Sequence, residues 1–156
     1  MRSVRILSVR KNTDSRVAAL EREYLERLRP HVKMEIEDIR QTYAEKNPPT
    51  AKILEKEAEL IDKKIKTGER VVSLAVTGKS FSSEGFAHWL DGRWNLASRI
   101  TFVIGGAYGL HEQILKRSDL ILSLSSLTLT HELARLALIE AVYRSADILK
   151  GGQYHK

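Results

Sequence analysis

Ile100-Thr101-Phe102-Val103-Ile104-Gly105-Gly106-Ala107-Tyr108-Gly109 joins a short apolar run to a glycine-rich turn. Two further runs of the same kind occupy residues 71–76 and 120–124, each bounded by polar or Gly residues. Two of the three are continuous enough to be strands buried on both faces, the pattern of a sheet covered by helices above and below. Helical patterns over 83–96 and around 111–116 separate the strands. Alternation of this kind implies parallel strands with helices packed on the sheet, an α/β fold. In such a sheet ligands collect beyond the carboxyl ends of the strands, where loops expose backbone donors and acceptors.

The first half continues the alternation. Residues 4–9 read as a strand, and residues 15–28 place Val17, Leu20, Tyr24, Leu25 and Leu28 at helical spacing behind an Asp14 cap, stopped by Pro30. Residues 32–39 predict a second half-buried strand through Val32, Met34, Ile36 and Ile39. Asn47-Pro48-Pro49-Thr50 breaks the chain. Thr50 is then the expected cap of a helix whose Ile53, Leu54, Ala58, Ile61 and Ile65 form one stripe before Gly68 ends it. The many Lys and Glu of that helix read as its solvated face. No linker, repeat or low-complexity tract interrupts the chain, so residues 1–156 are expected to form one domain, long enough to bury roughly 68–70% of the unfolded surface.

Charged residues make up 29% and hydrophobic residues 42%, which excludes disordered and fibrous classes. No apolar run approaches the roughly 20 residues of a membrane span, and Met1-Arg2-Ser3-Val4-Arg5 lacks a signal-peptide core, so a cytoplasmic protein is expected. The absence of Cys rules out disulfides and thiolate metal sites; the five His show no HExxH spacing, and no metal is expected. The net charge of +6 is uneven: residues 1–33 carry nine Lys or Arg against four Asp or Glu, residues 34–69 seven against nine. A basic excess of this kind favours a polyanionic partner such as nucleic acid. Arg2, Arg5, Arg10 and Lys11 are candidates for its docking.

Three loops follow the three strands of the second half. Thr77-Gly78-Lys79-Ser80 resembles the end of a P-loop, but GxxxxGK[ST] needs Gly where this chain has Ser73. The second loop is GGxxG, not the GxGxxG of a dinucleotide site, and its glycines permit positive φ and close backbone approach. The third, Leu124-Ser125-Ser126-Leu127-Thr128-Leu129, mixes hydroxyl and apolar groups and suits a planar heteroaromatic such as adenine. Behind it a helix over 131–149, capped by Thr130, is apolar nearly all round and must be buried on more than one side, by the sheet and by a second subunit. At 100° per residue His131 and Arg135 share one edge while Glu140, Arg144 and Asp147 share the opposite one, with Glu140 and Arg144 spaced for an i,i+4 pair. The chain closes on Gly152-Gln153-Tyr154-His155-Lys156, a tail that reads as able to fold over a site.

The three loops, the His131/Arg135 spacing, Glu140-x-x-Tyr143-Arg144 and the Tyr154-His155-Lys156 end together resemble the RlmH family of ribosomal RNA large subunit methyltransferases, from first strand to last residue. That family departs from this chain in often carrying Pro at 130, Gly at 10 and Pro at 153. The resemblance implies an α/β fold of the SPOUT type: a parallel sheet flanked by helices with a C-terminal trefoil knot, the knotted cofactor-binding region covering about residues 70–156. It implies a homodimer that methylates N3 of a pseudouridine in helix 69 of 23S rRNA in the assembled ribosome, using S-adenosyl-L-methionine. Residue by residue, it implies cofactor contacts at Leu74, Gly105, Leu124, Ser125, Ser126, Leu127, Thr128 and Leu129, and a transfer site at His131, Arg135, Tyr154 and His155. N3 of a uracil-type ring becomes a good nucleophile only as its proton leaves, so a base and a cation for the developing imide anion are required. His155 or a water as the base, Arg135 or Lys156 as the cation and Tyr154 against the ring are the expected roles. Another SPOUT RNA methyltransferase and a non-catalytic RNA-binding module are the alternatives.

Overall fold

The computed structural model describes residues 1–10, 13–40, 43, 45–97 and 99–156. In chain order the elements are β1 (Arg2–Ser8), α1 (Ser15–Leu28), β2 (Val32–Asp38), α2 (Thr50–Lys64), β3 (Glu69–Lys79), α3 (Ser83–Trp94), β4 (Arg99–Ile104), α4 (Glu112–Arg117), β5 (Leu120–Leu122) and α5 (His131–Leu149). The strands form one parallel sheet in the order β2-β1-β4-β3-β5. The α/β architecture expected from the sequence is the one observed.

Period-two alternation sorts the strands' side chains onto two helix layers. Val4 and Ile6 of β1 and Ile100, Phe102 and Ile104 of β4 face Leu28 of α1, Phe86 and Leu90 of α3, and Leu138, Ile139 and Val142 of α5. Leu7 and Val103 point the other way, onto Ala58 and Ile61 of α2 and Ile114 of α4. Phe102 lies in register with Ile6 and Val72, and all three are fully buried. Burying Phe102 alone contributes about 1.5–3 kcal/mol. The helix α5 packs between α1 and α3 as well as on the sheet, which explains its nearly continuous apolar surface. Leu133 in its first turn nevertheless stays about half exposed.

Three local readings are corrected. Thr50 is the first helical residue of α2 rather than its cap: Pro49 holds the N-cap position with an extended backbone, so the Thr50 hydroxyl is already inside the first turn and no side-chain cap bond forms. The same helix stops at Lys64, and Gly68, with φ +87°, instead turns the chain into β3. The third strand runs on through Thr77, Gly78 and Lys79, because after a break in register Lys79 pairs with Leu122 of β5 and its carbonyl accepts from the Ser123 N–H at 2.9 Å. A Cβ on Gly78 would lie 2.6 Å from the Ile121 carbonyl oxygen, so the close approach depends on glycine.

Arg5 is removed from the docking candidates. It is buried at the amino end of the sheet, where its guanidinium donates to the Glu69 carboxylate at 2.7 Å and to the Lys64 carbonyl at 2.8 Å. Arg2 is half-exposed, paired with Asp91 at 2.6 Å and lying over the Trp94 ring. Arg10 is exposed, and Lys11 lies outside the described residues. Among the described residues no helix is long and apolar enough to cross a membrane, and no group of three or more His, Cys, Asp or Glu could hold a metal ion.

Candidate active site

Beyond the carboxyl ends of β3, β4 and β5 lies a cavity of about 520 Å³, within the usual range for a small-molecule site. Its walls are residues 74–77, the stretch 104–110 and the stretch 122–134, with Arg10 also lining it. Of the first loop singled out from the sequence, Thr77-Gly78-Lys79-Ser80, only Thr77 takes part; Gly78 and Lys79 continue the extended β3 and Ser80 lies beyond it. Glycine shapes the middle wall. Gly109 has φ +78° and its N–H closes a tight turn on the Gly106 carbonyl at 3.1 Å, while a Cβ on Gly105 would run into the Gly109 carbonyl. A Cβ on Gly106 would meet the Glu57 carboxylate and Val9. The third wall is held by its own hydroxyls: Ser123 donates to the Ser125 carbonyl at 3.0 Å, and Ser125 Oγ accepts from the Leu127 N–H at 3.0 Å.

Of the cofactor candidates, Leu74, Gly105, Leu124, Ser125, Leu127, Thr128 and Leu129 line the cavity, and Ser126 is exposed beside it. His131 also lines it, at the start of α5, where the Thr130 hydroxyl accepts from the Leu133 N–H at 3.3 Å. His131 Nε2 is buried and has no hydrogen-bond partner among the described residues.

Arg135 does not reach the cavity. One turn further along α5 it is 4% exposed, gripping Glu21 of α1 through Nε at 2.7 Å and Nη2 at 3.0 Å, and Asp38 at the end of β2 through Nη1 at 2.8 Å. Burial alone would lower the guanidinium pKa, but the two carboxylates outweigh it and raise it. The charge is therefore permanent and fully committed.

The tail docks elsewhere. The Tyr154 hydroxyl donates to Glu140 at 2.9 Å and meets the Tyr24 hydroxyl at 3.2 Å, and its ring packs edge-on against Tyr143. Burial, followed by the hydrogen bonds with Tyr24 and Glu140, pushes its phenol pKa well up, so it stays protonated at neutral pH. Asp147 accepts the backbone N–H groups of Tyr154 and His155 at 3.0 and 3.3 Å. His155 bridges Arg144, at 3.2 Å, and Glu84, at 2.8 Å, and that hydrogen bond lowers the Glu84 pKa. The expected Glu140–Arg144 pair is present at 2.5 Å. These anchors sit nine to sixteen residues beyond His131, roughly 14–24 Å along the helix axis, so within one chain the tail and the large cavity are apart. A second hollow of about 210 Å³, flanked by Phe81, Phe86, Glu140 and Arg144, lies between them and shares Leu122, Leu124 and Leu129 with the first.

Two buried carboxylates escaped the sequence reading, Glu21 at 6% and Glu57 at 7% exposure. Both occupy stripe positions. Glu21 falls between Val17 and Tyr24 or Leu25, and Glu57 lies four residues after Ile53 and four before Ile61, so an acid on an otherwise apolar face was the available signal.

A parallel α/β sheet with a glycine-walled, ligand-sized cavity at the carboxyl ends of three strands defines a small-molecule-binding α/β protein. The family described as "Predicted SPOUT methyltransferase" matches residues 2–155. Among similar proteins, the ribosomal RNA large subunit methyltransferase H of Carboxydothermus hydrogenoformans is 40% identical over 139 residues, 86% of this chain and 87% of its own. That of Caldicellulosiruptor saccharolyticus is 42% identical over 134 residues, with the same coverage. That of Christiangramia forsetii is 36% identical over 154 residues, 98% of each chain. The chain belongs to the SPOUT methyltransferase family, as the resemblance implied.

Proposed function

We propose that this protein transfers a methyl group from S-adenosyl-L-methionine to N3 of a pseudouridine in helix 69 of 23S rRNA, in assembled cytoplasmic ribosomes and as a homodimer. The observation that carries the reading is the cavity itself: three segments of a SPOUT methyltransferase chain surround a ligand-sized space that His131 also lines. The substrate class follows the relatives, whose names describe large-subunit rRNA methyltransferases. A trefoil knot over about residues 70–156 belongs to the same reading, supported by the second pairing of β3 with β5 at Lys79.

The residues fit the methyl donor. Leu74, Leu124, Leu127 and Leu129 supply apolar walls for an adenine, Ser125 and Thr128 supply hydroxyls, and the Gly105-Gly106 turn supplies a wall without side chains. When bound, the donor supplies a methyl carbon activated by a sulfonium, whose bonding pair returns to sulfur as the new N–C bond forms. The protein's part is to align nitrogen with that carbon and to manage the N3 proton. Within the chain His131, which lines the cavity, is assigned to this task. Arg135 is assigned to positioning: its grip on Glu21 and Asp38 fixes the first turns of α5 and with them the His131 ring. Tyr154, His155 and Lys156 are assigned to the ring and its leaving proton. Because each tail is anchored 14–24 Å from its own His131, in the proposed dimer it serves the partner's cavity.

The test is labelled methyl transfer to assembled ribosomes, free large subunits and tRNA in parallel. Transfer to ribosomes, mapped to N3 of one pseudouridine, is expected. Transfer only to tRNA indicates another SPOUT RNA methyltransferase, and no transfer with retained RNA binding indicates a non-catalytic module.

A further inference from the structure

The basic and acidic side chains of α2 look like a solvated face, yet Glu57 turns inward. It is 7% exposed and shares its helix face with Ala58 and Ile61, which pack on the sheet. Its carboxylate rests on the Gly105-Gly106 turn: a Cβ on Gly106 would lie 3.0 Å from Glu57 Oε1 and 3.6 Å from Oε2. Gly105, Gly106 and Ala107 line the large cavity on their other side. One backbone thickness therefore separates the buried carboxylate from the space assigned to the methyl donor, and a side chain at 106 would press on that carboxylate. The charge acts on its surroundings elsewhere too, since the Tyr43 phenol is pushed up first by burial and then by Glu57.

We infer that Glu57 is a specificity-determining residue that makes the cavity prefer a positively charged sulfonium donor over its neutral thioether product. This rests on the proposed use of S-adenosylmethionine. Donor and product share adenosine, amine and carboxylate, so every apolar contact and hydrogen bond along the cavity serves both alike. They differ by one methyl group and one positive charge at sulfur. A carboxylate behind the wall, screened by a medium of intermediate dielectric, favours the cation by roughly tenfold. Methyl transfer erases the charge that the carboxylate attracts, so the same residue speeds exchange of spent product for fresh donor. Arg10 and His131 also line the cavity and are unaltered by a change at 57, so the change in the donor-to-product affinity ratio reports Glu57 together with the groups it is bonded to.

The experiment is calorimetric titration of the full-length protein with S-adenosylmethionine and with S-adenosylhomocysteine, for wild type, Glu57→Gln and Glu57→Asp. The Gln variant is expected to hold the product as wild type does and to lose roughly tenfold in donor affinity. The Asp variant withdraws the charge by one methylene and should lose less. If Gln does not fold, the Asp ratio decides alone. Equal weakening of both ligands, or an unchanged ratio, overturns the inference and leaves Glu57 a support for the glycine turn. Wild-type protein that binds neither ligand overturns the cofactor reading and takes this inference with it.

Discussion

Replacing Arg135 with Met separates a structural guanidinium from one that touches the RNA. Arg135 is 4% exposed and its forked contact with Glu21 is itself buried, so its loss takes this counter-charge from one buried carboxylate and one partly exposed carboxylate, Asp38. Breaking a buried pair by removing one partner costs about 3–5 kcal/mol. Against a total stability of about 5–15 kcal/mol this is a large fraction, and it corresponds to a fall in melting temperature of roughly 6–20 °C for a chain of this size. Adding Glu21→Leu removes the buried carboxylate that Arg135 had neutralised and should recover much of that loss, since apolar replacements of buried pairs are often neutral. Denaturant unfolding of the wild type, both single variants and the double variant gives the coupling directly, expected at about 2 kcal/mol or more. Below saturation of the unfolding transition, methyl-donor binding by Arg135→Met should remain. A variant that melts with the wild type while losing turnover would refute the assignment and return Arg135 to the developing imide anion.

Gly105→Ala should abolish measurable donor binding, because its methyl group meets the Gly109 carbonyl; calorimetry on the folded variant checks this. Deleting residues 153–156 should lower turnover by about 10²–10⁴ while leaving the donor dissociation constant within about twofold, and mixing the truncated chain with a cavity-dead full-length chain should restore activity if tails serve the partner. Asp14 caps α1 through the Arg16 N–H at 2.9 Å, and the Arg16 side chain and then its backbone N–H hold the carboxyl down at about 2. A depressed carboxyl stabilises above its unfolded value of about 4 and loses that effect as pH falls through the folded one. Asp14→Asn should therefore flatten the acid limb of unfolding between about pH 4 and 2, read by circular dichroism.

Most of the fold was legible because each signal was local. The bounds of α5 follow from a Thr130 cap and an unbroken apolar pattern, and those of α1 from Asp14 and Pro30. The end of β3 was not, because Thr77-Gly78-Lys79 carries turn chemistry and becomes strand only when Ile121 and Leu122 arrive from more than forty residues away. Among the cofactor candidates, the glycine and Ser-Thr loops were legible from their place after apolar runs while Leu74 came from the resemblance alone, and the structure gathers all but Ser126 around one space. What periodicity could not supply was the partner of each charge. His131 and Arg135 share a helix edge, yet one lines a cavity and the other binds Glu21, an acid that the pattern of α1 had not singled out. Tertiary pairing, not spacing, decides which polar residue stays available.

The sheet order β2-β1-β4-β3-β5 has a kinetic consequence. The three cavity walls come from segments around 75, 105 and 125, and β5, the last strand made, completes the set by pairing only with β3. No wall can be assembled by a hairpin or a helix pair, so the structure waits on contacts between sequence-distant parallel strands, the slow regime of folding. The cavity is complete only once β5 has paired with β3. A ligand that binds it is a clock for that pairing, and nascent chains that stop short of Leu122 should make no such site however well their first four strands have packed.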